Sequence, residues 1–162
     1  MTPRFGLPAA LLLAAVAHSQ GPAASQEAKP PGWFGTWLER QPPASRFETP
    51  AYKKVTVRIE PWQGGLKVVY DMVRTRGGIT HMEWTGAFDG KDYPVQGVDY
   101  VLTNAYRLID DSSYEIVIKV DGMPVATAVA VMSPDRATLT VTTTARDARG
   151  QMRKTTAVYR RQ

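Results

Sequence analysis

The chain predicts an all-β fold: a single antiparallel up-and-down β-barrel of about 8–10 strands, after a cleaved signal peptide and a disordered lead-in. Three observations lead there. Segments alternating apolar and polar residues recur at roughly 8–12 residue spacing, the pattern of a sandwich or barrel. The connections between them are short and carry turn chemistry. No stretch sustains a helical period.

The C-terminal part is the most legible. Tyr114–Val120 alternates, and Asp121-Gly122 then supplies a two-residue hairpin turn of the type that needs positive φ. Met123–Met132 follows, then Ser133-Pro134-Asp135-Arg136, in which Pro sets φ and Asp bonds its own backbone. Ala137–Thr144 resumes the alternation, and Asp147-Ala148-Arg149-Gly150 turns the chain into Gln151–Arg160. Strands joined this tightly form a meander, which upstream elements must extend or cover.

From the N-terminus, Arg4 followed by the apolar run Leu7–Ala17 and the small residues of Ala17-His18-Ser19 reads as a signal peptide, residues 1–19, cut after Ser19 or alternatively after Ala17. The run is about eleven residues, too short to span a bilayer. Residues 20–32, rich in Pro, Ala, Ser and Gln, are expected to form a disordered linker. The domain, 33–162, starts with three aromatics in Trp33-Phe34-Gly35-Thr36-Trp37, a cluster that must be buried. Glu39 to Lys54 is the only long connection.

Val55, Val57 and Ile59 share one face of the next strand. Leu66, Val68, Tyr70 and Met72 share a face after the Pro61–Gly65 turn. Ile79–Phe88 carries Met82, Trp84 and Phe88 on one side, and Gly86 suggests a bulge or bend. Asp92–Val95, Asp99–Leu102 and Tyr106–Asp110 complete the set, the last two separated by Thr103-Asn104. An open meander of this length leaves two edges of unpaired backbone groups; pairing the first strand with the last removes both. About ten strands enclose more space than a tightly filled small barrel, so a ligand cavity is physically available.

The composition narrows the function classes. The formal net charge is +5, and the basic residues are scattered rather than clustered, so no nucleic-acid footprint is indicated. There is no cysteine, hence no disulfide and no lipidated N-terminal Cys; the expected product is exported, periplasmic or secreted, without stable membrane insertion. His81 and Glu83 share a strand face without a second His or any metal-ligand spacing. Asp89, Asp92 and Asp99 lack the alternating carboxylates and distal Glu of a calcium loop, and turn chemistry accounts for Asp89-Gly90. Ser112, Ser113 and Ser133 have no base at a recognisable offset. No catalytic residue, metal or cofactor is therefore expected.

Gly35-Thr36-Trp37 at the first strand resembles the Gly-x-Trp signature of lipocalins, with Arg160 or Arg161 at the end of the last strand where lipocalins place an Arg over that Trp. Phe88-Asp89-Gly90-Lys91-Asp92-Tyr93-Pro94-Val95, Ser133-Pro134-Asp135 with Thr138–Thr143, and Asp147-Ala148-Arg149-Gly150-Gln151 resemble an uncharacterised family of exported bacterial lipocalin-like proteins. The resemblance implies barrel and export, with no activity to carry over. It lacks a helix after the last strand.

These readings converge on a non-catalytic exported protein that binds a small apolar or amphipathic ligand inside the barrel. Tyr70, Met82, Trp84, Phe88 and Tyr100 are the expected pocket lining, with Trp37 and Arg160 as a structural latch. The alternative is a cell-envelope structural or protein-interaction module whose barrel is filled by its own side chains.

Overall fold

A computed structural model describes residues 32–40 and 51–162; the expected signal peptide, nearly all of the expected linker and the middle of the long connection lie outside the described residues. Ten strands follow one another: β1 (Gly35–Glu39), β2 (Tyr52–Trp62), β3 (Gly65–Arg74), β4 (Ile79–Gly86), β5 (Tyr93–Gln96), β6 (Leu102–Asp110), β7 (Ser113–Val120), β8 (Met123–Met132), β9 (Thr138–Arg146) and β10 (Met152–Arg161). Each strand pairs antiparallel with its chain neighbours, and β1 pairs with β10, so the sheet closes into an up-and-down barrel. The closing register sets Trp37 opposite Arg161 on one side and Val57 on the other.

The hairpins form because their residues tolerate the required backbone. Gln63-Gly64 and Asp121-Gly122 both place two consecutive residues at positive φ, which matches the right-handed twist of the flanking strands. At the β8–β9 connection the Asp135 carboxylate accepts the Ala137 N–H at 3.0 Å and the Ser133 hydroxyl at 2.6 Å.

Three local expectations are corrected. Thr103-Asn104 does not separate two strands, Asp99–Leu102 and Tyr106–Asp110; both residues lie within β6, whose inward set is Leu102, Asn104 and Tyr106, and the break is the segment 97–101 before it. Phe88 falls beyond the end of β4, in the connection to β5. Gly86 marks no bulge: a Cβ there would stand 2.6 Å from the Trp84 ring and 2.7 Å from the Tyr93 ring, so glycine is required by close aromatic packing. The register shifts occur instead at Tyr52/Lys54, Leu108/Asp110 and Ile118/Lys119.

Strand direction gives the barrel two unlike ends. The hairpin turns at 63–64 and 111–112, the 87–92 connection and the 133–137 turn lie at one end with Gly35 and Arg161. The turns at 75–78, 97–101, 121–122 and 147–151 lie at the other with Glu39 and Tyr52.

Candidate functional site

The first end is closed by side chains. Trp37 is fully buried, its indole N–H donates to the Trp33 carbonyl at 2.8 Å, and the guanidinium carbon of Arg161 sits 4.3 Å from its ring centroid. Arg161 also donates to the carbonyls of Phe34 at 2.6 Å, Arg136 at 2.9 Å and Gly32, tying the start of the domain to its last strand. The cation of the latch is therefore Arg161, not Arg160. Successive strand residues face opposite sides: Arg161 turns inward with Tyr159, whereas Arg160 is exposed outside.

Above this latch the interior is packed with aromatic rings. Trp84 and Tyr106 stack at 4.0 Å, Tyr106 and Tyr114 at 5.6 Å, and Trp33 meets Phe88 and Tyr114 edge-on at 5.5 Å each. The Trp84 indole donates to the Asn104 backbone carbonyl at 3.1 Å. Burying each such ring is worth about 1.5–3 kcal/mol, and the offset and edge contacts add to it. Trp84 and Phe88, expected in a pocket wall, belong to this plug.

The second end is hollow. A cavity of about 510 Å³ occupies the upper interior, walled by inward residues of nearly every strand, among them Tyr52, Val55, Tyr70, Met72, Met82, Val95, Tyr100, Leu102, Ile116, Ile118, Ala128, Val141 and Tyr159. Of the residues singled out from the sequence, Tyr70 and Met82 lie on this wall and Tyr100, half-exposed, at its mouth. An adjoining hollow of about 700 Å³ shares Tyr52, Met72, Met82 and Tyr100 and adds Arg74, Thr80 and Asp99, forming a vestibule in which Arg74 donates to the Thr80 hydroxyl at 2.9 Å. A hollow of about 430 Å³ between Pro124, Thr127, Thr144 and Met152 lies on the outer face of β8 and β9, away from the interior.

The space exists because the side chains facing it are small or flexible. Ala128 faces it from β8 and Thr143 from β9 where rings stand elsewhere, and Met72 and Met82 are slender on the opposite wall. Sequence reading missed Asn104. It lines the cavity at 9% exposure, and its Oδ1 is buried without a hydrogen-bond partner among the described residues. The signal was the alternation Leu102, Asn104, Tyr106, obscured by placing Thr103-Asn104 between two strands.

Beneath Asn104 lies the wholly buried hydroxyl of Tyr106, with the Tyr70 hydroxyl and the Asn104 side chain beside it. Burial, reinforced by neighbouring Tyr70 and Tyr114, holds the Tyr106 phenol well above its usual proton affinity. Burial likewise raises Tyr70, Tyr114 and Tyr159. All four are neutral hydroxyls at ordinary pH. Glu39 is the one charged side chain among the described residues lining the cavity.

The other candidate groups face elsewhere. His81 Nδ1 lies 2.7 Å from Asp71 Oδ1 on the outer face of β3 and β4, with Arg58 3.9 Å from the other oxygen. Asp89 accepts the Lys91 N–H at 3.0 Å and the Tyr93 hydroxyl at 2.9 Å, as its place in a turn requires. Asp92 pairs with Lys119 at 2.8 Å. No family model matches this chain, and no curated protein matches it.

Proposed function

We propose that this protein is a non-catalytic, exported binder of a small apolar or amphipathic molecule, related in design to lipocalins, with the molecule seated in the open half of the barrel. The observation that carries this reading is the cavity itself. At about 510 Å³ it falls within the roughly 300–1,000 Å³ typical of small-molecule sites, and its wall is apolar with a few convergent polar groups. Its titratable lining is tyrosine and Glu39, and His81 lies outside, so the reading assigns no acid–base pair to the interior.

Titration with N-phenyl-1-naphthylamine, a fluorescent apolar reporter, tests it. The expected result is saturable enhancement that disappears in Ala128→Phe, which fills the cavity from β8. Enhancement that never saturates, or that Ala128→Phe leaves intact, contradicts the reading. The packed aromatic half of the interior favours a second reading, a side-chain-filled module that acts through its outer surface. That reading predicts no reporter binding at all.

A further inference from the structure

The rim around the cavity mouth differs from the rest of the surface. Of the ten large apolar side chains exposed among the described residues, six stand at this end, on the connections or the strand residues beside them: Ile79, Tyr100, Val101, Met123, Val125 and Met152. Ile79 is 70% exposed, Val101 61% and Met123 69%. The Asp121 N–H donates to the Val101 carbonyl at 2.9 Å, which holds the β5–β6 connection against the β7–β8 turn. Val125 and Met152 border one hollow together with Arg146. Apolar side chains gathered in this way mark a docking surface.

The charges say what it docks on. Basic residues that are scattered along the chain are brought together by the topology: exposed Lys53, Lys54, Arg74, Arg76, Arg146 and Arg149 reach this end from three different connections. Arg153 pairs with Asp147 at 3.0 Å and Arg40 offsets its neighbour Glu39, so Asp99 and Asp121 are the acids set against these six cations. The closed end has the opposite balance, since exposed Glu60, Asp110, Asp111 and Asp135 outnumber Arg136, Arg160 and the latch Arg161. We propose that the open end docks reversibly on an anionic lipid surface, with Ile79, Val101 and Met123 entering the interface and the cations resting among the headgroups. In such binding the apolar contact and the attraction to acidic lipids reinforce each other. A nucleic acid would match the charge but gain nothing from the apolar rim, and a second copy would set like charges face to face. The inference goes beyond ligand binding and supplies the cavity with a route to the bilayer, because Tyr100 belongs to both rim and mouth.

Co-sedimentation with vesicles tests it, using the chain from Gln20 onward, which keeps every strand and the latch. Vesicles of equal phosphatidylcholine and phosphatidylglycerol are expected to bind about tenfold more tightly than phosphatidylcholine alone, an advantage that about 0.5 M salt removes. Ile79→Asp with Met123→Asp should weaken binding to the mixed vesicles about tenfold, and so should Arg76→Glu with Arg149→Glu. Ile109→Asp with Val131→Asp, exposed at the closed end, should leave it unchanged. Unfolding midpoints and N-phenyl-1-naphthylamine binding, both measured without vesicles, should be the same in every variant. No preference for the mixed vesicles, binding that survives both rim changes, or dimers in light scattering that Met123→Asp abolishes would overturn the proposal while the cavity reading stands. Vesicle binding without reporter binding would support the docking and remove the cavity reading instead.

Discussion

The two ends of this barrel are made from the same ten strands and the same alternation, yet one is solid and the other hollow. At the closed end Trp33, Trp37, Trp84, Phe88, Tyr106 and Tyr114 interlock, and Arg161 holds the first strand to the last. At the open end the inward positions carry Ala128, Thr143, Met72 and Met82, and the walls do not meet. Stability is therefore concentrated at one end, which leaves the other free to remain unfilled. Binding sites need that division, because a cavity lowers stability unless rigid packing elsewhere compensates.

The sharpest test of the contrast is truncation. Trp37→Ala and Tyr106→Ala, both at 0% exposure, are expected to destabilise by about 3–5 kcal/mol, because the surrounding plug cannot collapse into the void. Met72→Ala and Met82→Ala, on walls that already face empty space, should cost about 1 kcal/mol in the same urea denaturation series. Equal losses at both ends would break the comparison.

Next comes the latch. Arg161→Ala removes the ring contact and leaves the Gly32, Phe34 and Arg136 carbonyls short of a donor, an expected loss of about 2–3 kcal/mol. Arg160→Ala, exposed on the outer face, should stay within about 0.5 kcal/mol. A reversal of the two by thermal denaturation would return the latch to Arg160.

Glycines sharpen the contrast at smaller scale. Gly86→Ala presses a methyl group against two rings of the filled half and should cost about 1–3 kcal/mol. Gly122→Ala, at the open end, meets no neighbour and carries only the strain of φ 78°, about 1 kcal/mol.

The pH dependence should be gentlest. The phenols of Tyr70, Tyr106, Tyr114 and Tyr159 are raised above the ordinary value of 10.0 by burial. In the unfolded chain they ionise near that value. Their contribution is thus complete below pH 10 and is lost as pH rises beyond it, since the unfolded state then binds fewer protons. Tyrosinate absorbance should show these four appearing together with unfolding rather than before it. On the acid side, the Asp135 carboxyl is lowered chiefly by the Ser133 hydroxyl and that of Asp147 chiefly by Arg153; these contributions hold above pH 3.8 and fade below it.

Much of the barrel could be read from residue order alone. Alternation in Val55–Ile59 and Leu66–Met72 identifies the inward face, and Asp121-Gly122 identifies a hairpin, because both depend on local stereochemistry. What alternation does not contain is height along the barrel axis. Tyr70 and Trp84 are both inward, but only Tyr70 reaches the cavity, and the difference arises from the register of β3 on β4, which sets Met82 opposite Tyr70 and Trp84 one step lower, opposite Val68. Arg160 and Arg161 are adjacent, and only the pairing of β10 with β1 decides which faces in. Asn104 was hidden because it was placed between two strands, whereas its place between Leu102 and Tyr106 on the inward face becomes clear once β6 is seen as one strand.

Xenon binding examines the division between the two halves most directly, since the gas enters dry apolar space without needing any particular chemistry. A crystal of the protein under xenon pressure should show density between Tyr70, Met82 and Ile118, and none among Trp33, Phe88 and Tyr114. Xenon within the aromatic plug, or an upper half that takes up none, would contradict the account.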